Sequence, residues 1–111
     1  MKPAVVNVRD YPLEYGQPYI YVGRYMPGRF RGHPLGNPFK VPRKATLAQR
    51  QECLEKYRAW LAEHPLRDAL LEQLANKVRQ TGYPLGCWCA PELCHADVLA
   101  EEVAKLLEQK A

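Results

Sequence analysis

The chain has 111 residues and a formal net charge of +4 at pH 7; 47% of its residues are hydrophobic and 25% are charged. This length suits one globular domain spanning 1–111, and the composition matches a soluble globular protein rather than a disordered or membrane one. No apolar run approaches the roughly 20 residues of a membrane-spanning helix and the N-terminus lacks a signal-peptide pattern, so we expect a cytoplasmic protein that makes no membrane contact.

Two segments near the N-terminus have the composition of β-strands. Residues 5–8 (VVNV) and 19–22 (YIYV) are short β-branched and aromatic runs bounded by proline and glycine. We therefore predict a strand in each segment.

The stretch 23–44 that follows is predicted to be a long ordered loop. It holds four glycines and four prolines, which prevent a regular helix or central strand. No acidic residue lies between Glu14 and Glu52, whereas seven basic ones accumulate there. Long loops inside compact domains are usually functional, and this charge suits an anionic small molecule or a nucleic acid. A solvated basic loop is the plain alternative.

Two helices, a strand and a third helix are predicted after the loop. Thr46 and Gln49 have the spacing of a capping box and begin a helix that we expect to end near Glu63. A second helix, with Pro65 in its first turn, ends at Gly82. Residues 84–89 are predicted to form a buried strand, and the amphipathic pattern of residues 98–108 predicts the last helix.

These elements predict an α/β fold in the order β-β-loop-α-α-β-α. Its strand-turn-helix ending is typical of a small Rossmann-like layered domain. Ligands of such sheets bind beyond the carboxyl ends of the strands, and the segment 87–97 follows the last predicted strand. We therefore expect a functional site at 87–97.

Cysteines alternate along the end of this strand. Cys87 and Cys89 are two residues apart, so their side chains share one face of the strand and Trp88 points to the other. The thiols are expected to converge while Trp88 packs.

A helix start brings further reactive groups to the same segment. Pro91 can open a helix, which places Cys94 in or beside the first turn, where free N–H groups favour a thiolate. We predict that Cys94 has the lowest thiol pKa. His95 and Asp97 add an imidazole and a carboxylate, so the group can serve nucleophilic or acid-base chemistry.

The same side chains also match the donor types of a zinc site. Three thiols and one imidazole are the tetrahedral ligand set that zinc prefers, and they come from Cys87, Cys89, Cys94 and His95. Their spacing argues against zinc, because zinc knuckles separate paired ligands by two to four residues, whereas here one pair is separated by one residue and the other is adjacent. A metal-free site is therefore the preferred interpretation, with zinc and buried structural thiols as alternatives. Cys53, on the first helix, is interpreted as a core residue.

The sequence resembles a known bacterial and phage family, the domain of unknown function 4326, over about residues 5–103. The resemblance rests on GR at 23–24, GNPF at 36–39, Tyr57 before Trp60, and CWCAPELCH at 87–95. It implies membership without an activity. A more distant similarity, to an uncharacterised family with an acid at the position of Cys89 and an arginine at that of Ala96, implies that Cys89 is not an obligatory metal ligand.

The resemblance gives weight to two loop motifs as the opposite wall of the site. Gly23 and Gly36 allow a ligand to approach the backbone closely. Arg24 offers a bidentate fork for phosphate or carboxylate, and Asn37 suits a base or an amide. The plain alternatives are that Arg24 holds loop carbonyls and Asn37 caps a turn.

Three functional hypotheses follow. The first is binding of an anionic, nucleotide-like ligand between the loop and the Cys94-His95 helix start. Whether the protein is an enzyme stays open; if it is one, Cys94 or Cys87 would be the nucleophile. The second is nucleic-acid binding, with phosphates on Arg24, Arg29, Arg31, Lys40 and Arg43 and bases on Tyr25, Phe30 or Phe39. The third is a zinc-stabilised interaction protein.

Overall fold

A computed structural model describes residues 2–11, 17–42, 44–90 and 92–109 of the chain. Three strands form a parallel sheet in the order β1-β3-β2, with β1 at Val5–Asn7, β2 at Ile20–Tyr21 and β3 at Leu85–Cys87. Leu85 of β3 pairs with Val5 on one side and Ile20 on the other. The cysteine segment therefore continues the central strand.

In the described part of the chain, three helices follow the loop: α1 at Leu47–Ala62, α2 at Arg67–Thr81 and α3 at His95–Gln109. Thr46 and Gln49 form the capping box at the start of α1, as predicted. Gly82 ends α2 with a positive φ of 69°, a conformation that favours glycine. Pro65 precedes α2 instead of lying in its first turn, so that detail of the prediction is wrong.

The sheet separates two apolar clusters. On one face, the helices pack against Leu85 and Cys87, and Tyr57 and Leu99 are fully buried there. On the other face, Tyr19 and Phe30 form a smaller aromatic cluster with the partly buried Trp88 and Tyr21. Gly86 of β3 lies against this second cluster, where a Cβ would come within 2.7 Å of the Tyr19 ring. Side chains of the central strand thus alternate between the two clusters.

The α/β class and the predicted order of helices and strands are confirmed. Val8, expected in the first strand, begins instead a short 3-10 helix at Val8–Asp10, which the Asn7 side chain caps by accepting from the Arg9 N–H. Strands of two or three residues do not establish a Rossmann-like order in detail. Within the described ranges, no helix is both long and apolar enough to cross a membrane.

Candidate functional site: a cavity at the carboxyl ends of the strands

A cavity of about 530 Å³ opens at the carboxyl end of the sheet, and we call it the strand-end cavity. Residues that end or follow all three strands line it, together with the start of α3 and parts of the loop and α1. Those used below are Asn7, Gly23, Arg24, Asn37, Phe39, Arg50, Trp88, Cys89, Glu92, Cys94 and His95. Residues of the segment 87–97 and of the loop motifs thus meet at the carboxyl ends of the strands, where the order of elements predicted a site.

Three thiols meet at one side of this cavity. Cys87 and Cys94 are only 1% and 5% exposed, and their Sγ atoms are 3.1 Å apart. Cys89 is half-buried and lines the cavity. Cys87 and Cys89 pack with the helix-side cluster while Trp88 packs in the aromatic cluster, which confirms the alternation predicted for this segment.

The thiols differ in their tendency to ionise. The pKa of Cys94 is raised, because its thiol hydrogen-bonds to Cys87 and Cys89 and is buried. The pKa of Cys89 is lowered to about 6, mainly by the hydrogen bond from Cys94 and also by Arg50 and Arg24, against the effect of burial. The expectation that Cys94 has the lowest thiol pKa is therefore wrong. These shifts favour a protonated Cys94 and a thiolate at Cys89, which lines the cavity.

His95 lies at the start of α3 with its ring buried. Its Nε2 is 2.7 Å from the carbonyl oxygen of Val22, which can only accept, so Nε2 carries a hydrogen. Burial lowers the pKa of His95, although that hydrogen bond opposes the shift. The ring is therefore neutral at pH 7, with Nδ1 unprotonated. An edge-to-face contact with the Tyr57 ring fixes its orientation.

Asp97 caps the start of α3. Its Oδ2 accepts a hydrogen bond of 2.9 Å from the backbone N–H of Cys94, one of the groups that a helix start leaves unpaired. Asp97 does not appear among the described residues that line the strand-end cavity. Its observed role is to position Cys94. Pro91, the predicted helix opener, lies outside the described residues, and α3 begins at His95.

The loop motifs reach the cavity, but their polar groups are largely occupied. Arg24 donates from Nε to the carbonyl of Asn37 at 3.0 Å and from Nη2 to that of Phe39 at 2.7 Å. The Asn37 Oδ1 accepts from the Phe39 N–H at 2.9 Å, and its Nδ2 contacts Cys53 Sγ at 3.5 Å. Both residues thus adopt the plain structural roles considered above, while still lining the cavity.

Gly36 and His33 organise the loop from within. A Cβ on Gly36 would lie 3.0 Å from the His33 carbonyl and 3.2 Å from that of Gly23, so the close approach there is by backbone. His33 Nδ1 accepts from the Leu35 N–H at 3.0 Å, and burial lowers the pKa of His33 to about 4. Of the two glycines, only Gly23 lines the strand-end cavity.

Two further residues of the cavity were not singled out as site residues from the sequence. Arg50 of α1 is 15% exposed in its side chain, interacts with Cys89, and lies 3.9 Å from Glu92. Asn7 donates from Nδ2 to the carbonyls of Trp88 and Ala90 and thereby holds the end of β3. The position of Asn7 as the one polar residue in the apolar run 5–8 could have indicated its role. From the sequence, Arg50 was considered only as one of the basic residues that accumulate before Glu52.

Comparison with known proteins identifies the family. The sequence profile described as "Domain of unknown function (DUF4326)" matches residues 6–105. The chain belongs to the DUF4326 family. No curated protein and no solved structure matched the chain.

The aromatic residues considered for base stacking in this DUF4326 protein are mostly engaged. Phe30 is 6% exposed and stacks on Tyr21 with ring centroids 4.0 Å apart. Arg29 lies over the rings of Phe30 and Trp88. Tyr25 is 66% exposed. Arg43 lies outside the described residues. Of the described aromatic residues proposed to stack on bases, Phe30 is buried and Tyr25 is exposed.

Two of the thiols and the imidazole considered as zinc ligands contact other protein groups. Among the described residues, no group of three or more His, Cys, Asp or Glu side chains is arranged to hold a metal ion. His95 uses Nε2 on the Val22 carbonyl, and Cys87 and Cys94 contact each other directly. The chemical character of this DUF4326 site is thus a buried thiol cluster beside arginines.

Proposed function

We propose that this protein binds an anionic, nucleotide-like ligand in the strand-end cavity. The observation that carries the proposal is the convergence there of the residues that end or follow all three parallel strands, since parallel α/β sheets bind ligands at this edge. The volume of about 530 Å³ falls in the range of roughly 300–1,000 Å³ typical of small-molecule sites.

The charges of the lining support an anion. Arg9, Arg24 and Arg50 line the strand-end cavity, against Glu92 as the acidic residue among its described lining. Arg24 is held by loop carbonyls and contributes mainly its charge. Arg50 interacts with Cys89 at the cavity wall and has a long 3.9 Å pair with the mostly exposed Glu92. Arg50 is therefore our choice for the phosphate clamp, and Phe39 and Trp88 supply surface for a planar base.

The experiment is calorimetric titration of the reduced protein with AMP, GMP, CMP and UMP, with adenosine and inorganic phosphate as partial ligands. We expect at least one nucleotide to bind about tenfold more tightly than either partial ligand. Arg50→Gln should weaken that binding about tenfold, because it removes a charge-assisted hydrogen bond. The matched control is Arg58→Gln on the same helix, whose side chain pairs with Glu101 on the surface.

Two outcomes would contradict the proposal. One is that none of the four nucleotides binds at millimolar concentration. The other is that Arg50→Gln and Arg58→Gln bind the nucleotide with equal affinity. Retention of single-stranded DNA or RNA at about 50 mM salt, lost steeply as salt rises, would instead favour the nucleic-acid hypothesis.

A further inference from the structure

The thiol cluster has a layered arrangement that the proposed function does not use. Cys89 and Cys94 both line the strand-end cavity, and Cys89 is the more exposed of the two. Cys87 is deeper, fully buried, and its Sγ is 3.1 Å from that of Cys94. A disulfide needs about 2.05 Å between sulfurs, so this pair must approach by only about 1 Å.

We propose that Cys87 and Cys94 form a reversible disulfide, which a hydroperoxide generates by first oxidising Cys89. The observations that carry this are the access of Cys89 to the cavity and the direct contact of the two buried sulfurs. The inference does not depend on the proposed nucleotide ligand.

The first step is the oxidation of Cys89. Its sulfur attacks the peroxide O–O bond, which breaks; the sulfur loses two electrons and becomes a sulfenic acid, and the other oxygen takes a proton and leaves as an alcohol or water. Arg50 and Arg24 near Cys89 favour the reactive thiolate. Cys94 Sγ then bonds to Cys89 Sγ, the S–O bond breaks, and the hydroxyl leaves as water with the proton of Cys94.

The second step passes the disulfide inward. The Cys87 sulfur bonds to Cys94 Sγ, the Cys89–Cys94 bond breaks, and Cys89 leaves as a thiolate. In the reduced protein the pKa of Cys87 is lowered by the hydrogen bond with Cys94 and by the backbone N–H groups of Cys89 and Ala90. Once Cys94 is in the disulfide, these backbone N–H groups remain to favour the attacking thiolate. The thiol with the lower pKa is the better leaving group, which suits Cys89. In total, two thiols and one hydrogen peroxide give one disulfide and two waters.

The test is intact-mass and peptide analysis after treating the reduced protein with stoichiometric hydrogen peroxide. Cleavage after Trp88 and after Glu92 separates Cys87, Cys89 and Cys94. We expect a loss of 2 Da that dithiothreitol reverses, a linked pair of Cys87 and Cys94 peptides, and Cys89 free for alkylation.

Variants assign the steps. Cys89→Ser should keep the Cys87–Cys94 link but form it at least tenfold more slowly. Cys94→Ser should lose the intramolecular link, and Cys53→Ser, the matched control on α1, should behave as the wild type. Circular dichroism checks folding; if Cys94→Ser does not fold, the wild-type mapping and Cys89→Ser decide.

The proposal is overturned by a final link that involves Cys53, or that joins Cys89 to either neighbour. It is also overturned if 16 or 32 Da adducts accumulate without the 2 Da loss, or if Cys89→Ser reacts at the wild-type rate. A failure of all four nucleotides to bind the wild-type protein has no bearing on the Cys87–Cys94 link, so the two proposals can fail separately.

Discussion

At the scale of single residues, the first prediction concerns the effect of Arg50 on the pKa of Cys89. Arg50 favours the thiolate, and the pKa of Cys89 is lowered from 9.0 to about 6. We expect the iodoacetamide reaction of wild-type Cys89 to rise with pH, with a midpoint near 6. In Arg50→Gln the midpoint should move upward, because removing the cation disfavours the thiolate. Alkylation at pH 6, near the wild-type midpoint, should then slow several-fold, measured by peptide mass spectrometry.

Arg58→Gln is again the control, since the Arg58 side chain is exposed and pairs with Glu101 on the surface. It should leave the Cys89 midpoint unchanged. A wild-type midpoint near 9, or an equal midpoint in both arginine variants, would contradict the assignment of Cys89 as the cavity thiolate.

The sequence pointed to the thiols that meet at the strand-end cavity but not to the order of their pKa values. A local rule, that helix starts favour thiolates, pointed to Cys94. In the structure the Cys94 N–H is already used by Asp97, and its sulfur is buried between two other thiols. Cys89 owes its low pKa to Cys94 and to Arg50, which α1 contributes from far along the chain. Such tertiary neighbours leave no local sequence signal.

At the scale of elements, the cap of α3 makes the second prediction. Asp97→Ala removes the 2.9 Å hydrogen bond to the Cys94 N–H and a negative charge at the helix N-terminus. We expect the free energy of unfolding, measured in urea, to fall by about 1–2 kcal/mol. Asp97→Asn keeps a hydrogen-bond acceptor, so its free energy of unfolding should fall by less. Nucleotide affinity should be nearly unchanged in Asp97→Asn, because Asp97 positions Cys94 and does not line the cavity.

The control for this prediction is Glu108→Ala in the exposed last turn of α3, which should change stability by less than about 0.5 kcal/mol. Equal stability of Asp97→Ala and Glu108→Ala would refute the cap. Abolished nucleotide binding in a fully folded Asp97→Asn would restore the carboxylate to the chemical role first predicted for it.

Helices were more predictable than the sheet. The ends of α1 and α2 depend on Thr46, Gln49 and Gly82, which act on neighbouring residues and so can be read locally. The position of β3 between β1 and β2 depends on pairing over long sequence distances, and no short-range pattern encodes it. The loop's close packing, with the Gly36 backbone against Gly23, was likewise hidden, although its glycines indicated that something must approach closely.

At the scale of the whole molecule, apolar packing on both faces of the sheet accounts for the fold. The larger cluster joins all three helices to the sheet, and the aromatic cluster covers the other face around Gly86. The cysteines belong to this core at one end: Cys87 and Cys94 are members of the larger cluster. Their sulfurs, 3.1 Å apart, are closer than the about 3.8 Å expected of two thiolates 2.3 Å from one tetrahedral zinc ion.

We therefore predict that folding does not require zinc. Protein purified without chelators should contain well under one zinc per chain by elemental analysis, and EDTA should leave its thermal unfolding temperature unchanged. The physical reason is that hydrogen-bonded thiols within an apolar cluster already have partners, whereas a structural zinc site would supply folding free energy that a chelator removes. Stoichiometric zinc together with a large loss of stability in EDTA would establish the zinc-stabilised alternative, and the Cys87–Cys94 contact would then be that of two metal ligands.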